Sequence, residues 1–418
     1  MPQPPPPAHP ARPVMDIIVQ RQLEDMASGN GAYLETFLRM VRRAGMDIRI
    51  VFAPRQSFGN RPWAGVHPRL RAHLTGIVWP GAARIAGRYW SLSPRVWARF
   101  AYRLLQEAAL RLGARITLPS YLGKEMDRQD AARVARACDD GRAAITLAEY
   151  SSAGPALKRL TRPSIHACLM HDLLSDRTDP VRAGGPVQEF DEITLETELG
   201  WLSTCQLVFF ASADEMARLS PHLPGARLAW VPPDAPDYPP ADKTGPVRVV
   251  FIGTVHRGNT DALRHFLTRI WPDVQARVPG LEFHIIGSAG RTLTPQQAGL
   301  PGVRILGRID RLETIGGASA IAVAPTRYAT GVSIKVAEYL LLGMPTVAYP
   351  RALEGFGHAL DGLVLSAGDE AAFADAVVSL AGDPARREAL SARARTETRR
   401  VLSHDSATGL IRSALSQA

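Results

Sequence analysis

A lysine and a glutamate three residues apart, Lys335 and Glu338, follow a loop of small residues at 330–333. The pattern predicts a loop, then the start of a short helix, which ends at Gly343. Such a loop gathers unpaired backbone N–H groups at the positive end of a helix dipole, where phosphate binds. A cation there suits a diphosphate, and a carboxylate suits sugar hydroxyls. By spacing alone, an ordinary surface ion pair explains Lys335 and Glu338 equally well.

Two further polar residues, His171 and Asp172, come directly after a predicted buried strand at 165–170. Enzymes with parallel α/β sheets build their sites at the carboxyl ends of strands, so both are candidate site residues. We place Asp172 on the acceptor side of the site.

The turn Gly29, Asn30, Gly31 follows another predicted strand, at 16–19. It is only half of a dinucleotide-binding fingerprint, since Leu34 stands where the third glycine belongs, and the cofactor signal is weak. We expect a tight turn that admits a substrate on the acceptor side.

Strand and helix patterns alternate through most of the chain, which predicts parallel sheets. We expect an α/β fold of two Rossmann-like domains facing each other across an interdomain cleft, where a ligand binds. Prolines concentrate between the two alternations and predict a linker. The expected divisions are a disordered proline-rich leader at 1–14, an N-terminal domain at 15–231, the linker at 232–246, a C-terminal domain at 247–400, and a last helix at 401–418 that packs back on the N-terminal domain.

Residues 54–115 read as loops around one strong helix. In that helix Arg95, Arg99 and Arg103 recur every four residues beside an apolar, aromatic stripe. We favour an amphipathic core helix with solvated arginines. The alternative is a surface that meets anionic lipid headgroups or a polyprenyl-linked acceptor.

Composition places the chain among ordinary globular proteins of two or three domains. Its 418 residues are 46% hydrophobic and 21% charged, with a net charge of +9. A basic balance permits nucleic acid, anionic lipid or phosphorylated partners. No recognisable nucleic-acid motif accompanies it, so we expect no nucleic-acid partner. No apolar run is long enough to span a membrane, and the leader lacks the apolar segment of a secretory signal.

Three cysteines lie far apart in apolar contexts, at Cys138, Cys168 and Cys205. They suggest neither a disulfide framework nor a zinc site, and we expect buried free thiols in a reducing cytoplasm. The sequence also shows no Asp-x-Asp and no clustered ligand set, so it predicts no metal site.

The second half of the chain resembles a known family. VRVVFIGTVHRGNTDAL, PGLEFHIIGS, PGVRILGRID and GVSIKVAEYLLLGMPTVAYPRALEGF, within about 247–383, resemble the nucleotide-sugar-binding domain of GT-B glycosyltransferases of the large retaining group (group 1, family 4). The first half resembles the acceptor domain of that family more loosely, through SGNGAYLETFL, the His-Asp pair and WLSTCQLVFFAS.

The resemblance implies roles for the residues of the small-residue loop and the helix after it. Glu338 matches the second glutamate of the family's E-x7-E motif, which holds the ribose hydroxyls. Gly331, Val332 and Ser333 match the loop whose backbone N–H groups meet the diphosphate. Thr330 stands where that motif has its first glutamate.

It implies further roles around the diphosphate and the donor sugar. Gly253, followed by Thr254, matches the glycine turn beneath the diphosphate, and Arg257 is a phosphate cation. Lys335 matches the lysine of one subset of the family. His171 matches a histidine that lies near the donor sugar.

The resemblance therefore implies a retaining glycosyltransferase with no cofactor beyond its nucleotide-diphosphate sugar donor. Because the sequence shows no metal-binding motif, we expect the transfer to be metal-independent. Its acceptor is a glycan, a lipid-linked molecule or a small molecule. We expect a cytoplasmic protein, with peripheral association to the inner face of the membrane as an open alternative. A catalytically silent GT-B binding protein and a sugar-nucleotide epimerase stay open as other functions, because fold alone does not fix the reaction.

Overall fold

The structure is a computed structural model that describes residues 12–24, 26, 29–111, 124–177, 193–239, 245–328 and 332–417. Its strands and helices fall into two units, one on each side of the proline-rich stretch that follows residue 231. The predicted strand at 116–118 and the start of the predicted acidic helix at 188 lie outside the described residues.

The strands of the first unit are short and mostly buried. They are β1 Val14–Val19, β2 Asp47–Phe52, β3 Trp63–Ala64, β4 Gly76–Val78, β5 Ala82–Ile85, β6 Arg88–Ser91, β7 Ala143–Glu149, β8 Ile165–Met170, β9 Leu207–Phe210 and β10 Arg227–Trp230.

The helices of the first unit connect these strands. They are α1 Gly29–Arg43, α2 Pro68–Arg71, α3 Pro94–Arg111, α4 Arg128–Cys138, α5 Gly154–Leu157, α6 Leu174–Arg177, α7 Leu195–Leu202 and α8 Ala213–Leu219, with 3-10 turns at Gln56–Phe58, Ser151–Ala153 and Ser220–His222.

Seven of these strands form one parallel sheet in the order β10-β9-β8-β7-β1-β2-β4. The order runs outward in both directions from β1, as in a Rossmann fold. The strands are apolar runs rather than alternating ones because both faces of the sheet are covered by helices.

Two sequence expectations for the first unit are wrong. Gly29, Asn30 and Gly31 form the first turn of α1 and not a free turn after β1. Residues 54–115 contain β4 and a small antiparallel sheet of β3, β6 and β5, where only loops and a helix were expected. These strands have two to four residues, too few for alternation to be visible in the sequence.

The second unit repeats the plan. Its elements are β11 Arg248–Ile252, α9 Arg257–His265, a π-helical stretch at Phe266–Ile270, α10 Trp271–Arg277, β12 Glu282–Ile286, a 3-10 turn at Ser288–Thr292, α11 Pro295–Ala298, β13 Val303–Gly307, a 3-10 turn at Leu312–Ile315, β14 Ala320–Ala324, α12 Ile334–Leu341, β15 Thr346–Ala348, α13 Pro350–Leu353, β16 Val364–Ser366, α14 Glu370–Gly382, α15 Pro384–Val401 and α16 Asp405–Gln417.

Its sheet is entirely parallel, in the order β13-β12-β11-β14-β15-β16. Each face again carries its own apolar cluster. The chain is thus α/β with two Rossmann-like units.

The last helix belongs to the first unit in space. Ala407, Ile411 and Ala414 of α16 are buried in the apolar cluster on one face of the first sheet. Arg412 donates from Nη2 to the carbonyl of Arg43 at the end of α1, at 3.0 Å. Apolar burial therefore ties the end of the chain to its beginning.

All three cysteines are buried free thiols. None of the helices in the described ranges is long and apolar enough to cross a bilayer.

Candidate active site

Each sheet has one place where the strand order reverses direction, and candidate residues lie there. In the second unit that place is between β11 and β14, which are followed by Gly253 and by the 325–328 segment. In the first unit that place is between β1 and β7. Arg21 follows β1, and Glu149 is the last residue of β7. Connections diverge at such a switch point and leave a crevice at the carboxyl ends of the strands, where α/β proteins bind ligands.

Lys335 points back from α12 to the turn after β11. Its Nζ donates a short hydrogen bond to Oδ1 of Asn259, and Nδ2 of Asn259 donates to the carbonyl of Thr254 at 3.1 Å. The ammonium lies 4.7 Å from the ring centroid of Phe251. Burial lowers the pKa of Lys335 to about 8. Two elements far apart in sequence thereby hold one desolvated cation beside the predicted diphosphate turn.

Glu338 lies one helical turn after Lys335, but the two do not form an ion pair among the described contacts. Burial raises the pKa of Glu338, and the charge of Lys335 opposes that rise. Within the described part of the chain, its carboxylate accepts no hydrogen bond. Burial raises the pKa of Tyr238 to about 12, with the Glu338 charge adding to the effect. The ordinary surface ion pair is excluded by these contacts, and the Glu338 carboxylate is available to a ligand.

Two glycines of the second unit, Gly253 and Gly287, lie where the surrounding atoms leave no room for a Cβ. A Cβ on Gly253 would lie 2.8 Å from the Phe251 ring and 3.3 Å from Cγ of Asn259. Gly287 has a φ of +91°, and a Cβ there would lie 2.3 Å from the carbonyl oxygen of Gly253. Phe251, Asn259 and Gly287 therefore pack closely around the turn at 253–254 and fix its position.

Arg257 is the first residue of α9, with His256 as its N-cap. Its side chain is exposed. Helix α9 therefore begins three residues after Thr254. Arg327, after β14, forms a two-pronged pair with Asp261 at 2.7 and 3.2 Å.

The small-residue loop is only partly described. Thr330 and Gly331 lie outside the described residues. Ser333 is the N-cap of α12 but its side chain makes no capping hydrogen bond. Val332 packs against apolar clusters of both units.

His171 is the centre of a buried polar cluster in the first unit. Its Nε2 lies 3.1 Å from Oε1 of Glu149, and its ring stacks on Tyr150 and meets Tyr33 edge-on. Arg21 donates to the same Glu149 oxygen at 2.6 Å and to the carbonyl of Asn30 at 3.2 Å. Arg21 therefore joins the beginning of α1 to the histidine.

The charge state of this cluster fixes the histidine tautomer. Burial would raise the pKa of Glu149, but Arg21 and His171 hold it at about 2. Burial lowers the pKa of His171, so the ring is neutral near pH 7. Because a carboxylate only accepts, Nε2 carries the proton and Nδ1 presents a lone pair. Nδ1 is buried and has no partner among the described residues.

Asp172, the next residue, is buried beside a second carboxyl group. Burial raises the pKa of Glu215 to about 8, and the charges of Asp172 and Asp176 add to the rise. Glu215 lies in the first turn of α8, whose N-cap Ser212 accepts from its backbone N–H at 3.1 Å.

The two units touch beside these residues. Oδ2 of Asp214 accepts from the backbone N–H of Gly355 at 2.6 Å and of Gly357 at 3.3 Å, and Ala213 donates to the carbonyl of Gly355 at 2.8 Å. A Cβ on Gly355 would lie 2.6 Å from Cγ2 of Val332. The contact thus reaches the small-residue loop.

Comparison with known proteins identifies the second unit. Residues 246–383 match the family model described as Glycosyl transferases group 1. Sucrose-phosphate synthase from Thermosynechococcus elongatus has a similar structure, with a TM-score of 0.60 at 15% identity over 97% of this chain and 99% of that one. This chain has the GT-B fold and carries a group 1 glycosyltransferase domain.

Two other solved structures share this GT-B fold. HepE of Anabaena, solved in complex with UDP, has a TM-score of 0.61 at 13% identity, covering 97% of this chain and 100% of that one. The structure described as trehalose-6-phosphate from E. coli bound with UDP-2-fluoro glucose has a TM-score of 0.58 at 12% identity, covering 97% and 99%. No curated protein matches the sequence.

Within the group 1 domain, sequence reasoning missed Asn259 and Arg327. In the first unit of the GT-B fold it missed Arg21, Glu149 and Asp214. Glu149 carried a signal, since it comes two residues after the apolar run 144–147, which predicts a strand. Asn259 and Asp214 matter only through long-range contacts, which no local pattern reveals. No group of three or more His, Cys, Asp or Glu residues in the described ranges is placed to hold a metal ion.

Proposed function

We propose that this protein is a glycosyltransferase that moves a sugar from a nucleotide-diphosphate sugar to a glycan, lipid-linked or small-molecule acceptor. The observation that carries the proposal is the desolvated ammonium of Lys335. This ammonium donates a hydrogen bond to Asn259, and Asn259 donates one to the carbonyl of Thr254 in the 253–254 turn. Both lie at the switch point of the group 1 domain. Departure of a nucleoside diphosphate needs its developing charge stabilised, and a preorganised cation in a partly buried site does this well.

Each candidate residue has a part in this scheme. Lys335, Arg257 and the backbone N–H groups at 331–333 stabilise the diphosphate without a metal ion. Glu338 accepts hydrogen bonds from the ribose hydroxyls. The lone pair of His171 Nδ1 accepts a hydrogen bond from the donor sugar.

The acceptor side is assigned to the first unit. Asn30 is linked to His171 through Arg21, and Asp172 is the next residue in the chain. Retention of the anomeric configuration is part of the proposal and is read from the product by NMR.

Donor identity is tested first. HepE was solved with UDP and glucose and with UDP-glucose, so UDP-sugars are the first donors to try, followed by GDP- and ADP-sugars. We expect nucleotide release with an acceptor present, undiminished by excess EDTA. Lys335→Ala should lower kcat roughly 100-fold, and Glu338→Ala should raise the donor KM roughly tenfold or more.

The matched control is Arg308→Ala, since the Arg308 side chain is 90% exposed and lies outside the proposed site. Failure of every donor to bind, or wild-type kinetics in both site variants, would refute the proposal. Donor binding without turnover over a broad acceptor panel would indicate a silent binding protein, and interconversion of free sugar nucleotides would indicate an epimerase.

A further inference from the structure

Exposed apolar side chains are concentrated in one part of the first unit. Of the eleven large hydrophobic residues that are exposed in the described ranges, six lie between residues 85 and 105. They are Ile85 (59%), Leu92 (66%), Trp97 (43%), Tyr102 (62%), Leu104 (49%) and Leu105 (69%). A soluble surface shows scattered single residues of this kind, whereas a concentrated group marks an interaction site.

Helix α3 carries four of these six residues, and three of the four lie on a single face of the helix. Trp97, Ala101, Leu104, Leu105 and Ala108 follow the i, i+4, i+7, i+8, i+11 spacing of an apolar stripe, and all five are exposed. An apolar stripe normally faces the core, so this helix is turned outward.

The adjoining face of α3 holds the helix to the protein. Val96 is buried, Phe100 meets Trp63 edge-on, and Nε of Arg103 pairs with Glu107 at 2.7 Å while both are half-buried. The expectation of a core helix with solvated arginines is therefore met only in part. Val96 and Phe100 face inward as expected, but Arg99 and Arg103 are half-buried, and the apolar stripe of Trp97, Leu104 and Leu105 faces solvent.

The β5–β6 hairpin extends the same surface. Its two-residue turn, Ala86 and Gly87, has φ of +49° and +78° and places Ile85 at an exposed tip between Arg84 and Arg88. Trp97 of α3 stacks on Trp90 of the hairpin and donates from Nε1 to the carbonyl of Ser91 at 2.9 Å. The hairpin tip and the outward face of α3 form one rigid surface, here named the basic apolar surface.

Positive charge predominates around this surface. Residues 48–106 contain ten arginines and no aspartate or glutamate. Several of these arginines pair with carboxylates from other parts of the first unit, as Arg55 does with Asp130. Arg84, Arg88 and Arg95 are exposed and have no carboxylate partner in the described part of the chain.

We propose that the basic apolar surface docks on an anionic membrane surface. Leucine and isoleucine side chains enter the boundary between headgroups and acyl chains, tryptophan and tyrosine lie at headgroup level, and arginines pair with lipid phosphates. A second copy of the chain is disfavoured because it would bring the same cations face to face. Nucleic acid would match the arginines but not the aliphatic residues. This surface lies outside the donor site, and the inference does not depend on the proposed transfer reaction.

Vesicle co-sedimentation of the full chain tests the inference. We expect binding to vesicles of 30% phosphatidylglycerol in phosphatidylcholine at 0.1 M NaCl, at least about tenfold tighter than to phosphatidylcholine alone and weakened at 0.5 M NaCl. Two double variants, Leu104→Ser with Leu105→Ser and Arg84→Glu with Arg88→Glu, should each weaken binding about tenfold or more. Their melting temperatures should stay close to that of the wild type because all four side chains are exposed.

The matched controls lie in the second unit. Leu306→Ser changes a leucine that is 45% exposed, and Arg308→Glu reverses an arginine that is 90% exposed. Both should bind vesicles as the wild type does. Absence of binding to anionic vesicles, or equal loss in the control variants, would overturn the inference. A concentration-dependent dimer that the leucine variant abolishes would instead identify a second copy as the occupant. A lower melting temperature of that variant without vesicle binding would show that the chain covers this face itself.

Discussion

At the scale of single residues, burial controls the chemistry of the site by setting charge states. Lys335, Glu149 and Glu215 each sit where desolvation competes with a neighbouring charge, and the outcome differs among the three. For Glu149 the two partners Arg21 and His171 outweigh burial, so the carboxylate stays charged. For Glu215 the neighbouring acids act with burial, so the carboxyl is mostly neutral near pH 7.

The His171 tautomer is the first testable consequence. In Glu149→Gln the amide can donate or accept, so the proton of His171 is no longer held at Nε2, and Arg21 loses its charged partner. We expect the 15N NMR signature of the Nε2–H tautomer in the wild type and a mixture of tautomers in the variant. The free energy of unfolding should fall by about 3 kcal/mol, and kcat should fall more than the donor KM rises. His171→Ala should lower kcat roughly 100-fold. An unchanged tautomer in Glu149→Gln would contradict the positioning role.

Glu215 gives a prediction about stability and pH. Its pKa is about 8 in the folded state and near 4.5 in the unfolded state, so the folded state binds more protons between these values. Stability from this group is therefore present below about pH 4.5 and is lost as the pH rises through 8. Glu215→Gln should match the wild type in thermal unfolding at pH 5 and exceed its stability at pH 9. One pKa unit corresponds to about 1.4 kcal/mol, which makes the difference measurable. If Glu215→Gln differed from the wild type in stability by the same amount at pH 5 and pH 9, the raised pKa of Glu215 would be ruled out.

At the scale of elements, strand ends and close backbone contacts place the site. Much of this was predictable, because β8, β9 and β14 are apolar runs closed by polar or small residues. The helix containing Lys335 and Glu338 was predictable from its glycine stop at Gly343. The sequence did not reveal that α1 begins at Gly29. Nor did it show that α3 turns its apolar face outward, since periodicity gives a stripe but not its direction.

The close approach of Gly287 to the 253–254 turn gives a prediction at the scale of elements. In Gly287→Ala the new Cβ would overlap the carbonyl of Gly253, and the φ of +91° is unfavourable as well. Gly280→Ala is the matched control, because its φ is +89° and nothing lies within 4 Å of the new Cβ. Gly280→Ala should cost about 1 kcal/mol in chemical denaturation, and Gly287→Ala at least about 2 kcal/mol more. Comparable losses in the two variants would show that the close approach is absent.

At the scale of the whole molecule, contacts between the ends of the chain hold the GT-B arrangement together. Alternating strand and helix patterns predict two parallel sheets but not the order of the strands within them, which the structure provides. The sequence predicts that the last helix packs on the first unit. It does not predict which residues of α16 make the contact, because their partners lie far away in the sequence. Asp214 adds a polar link from the first unit to the loop at 355–357.

The position of α16 predicts which unit a mutation near the C-terminus weakens. Ile411 is fully buried in the core of the first unit, so Ile411→Ala should lower the free energy of unfolding by about 3 kcal/mol. Hydrogen exchange should increase in β1 and β2 and stay unchanged in β11 and β12. Ser416→Ala, at an exposed position of the same helix, is the control. Increased exchange confined to the second unit would contradict this placement.

The central claim is that Lys335 provides the cation for a nucleoside diphosphate, and calorimetric binding of UDP, GDP and ADP between pH 6.5 and 9 tests it most directly. Because its pKa is about 8 in the free protein, the wild-type Kd of the nucleotide that binds should be constant below pH 7.5 and about tenfold higher at pH 9. Lys335→Arg should bind without this rise, since arginine keeps its charge, and Lys335→Ala should bind weakly at every pH. A wild-type Kd that is flat over this range and equal to that of Lys335→Ala would contradict the account.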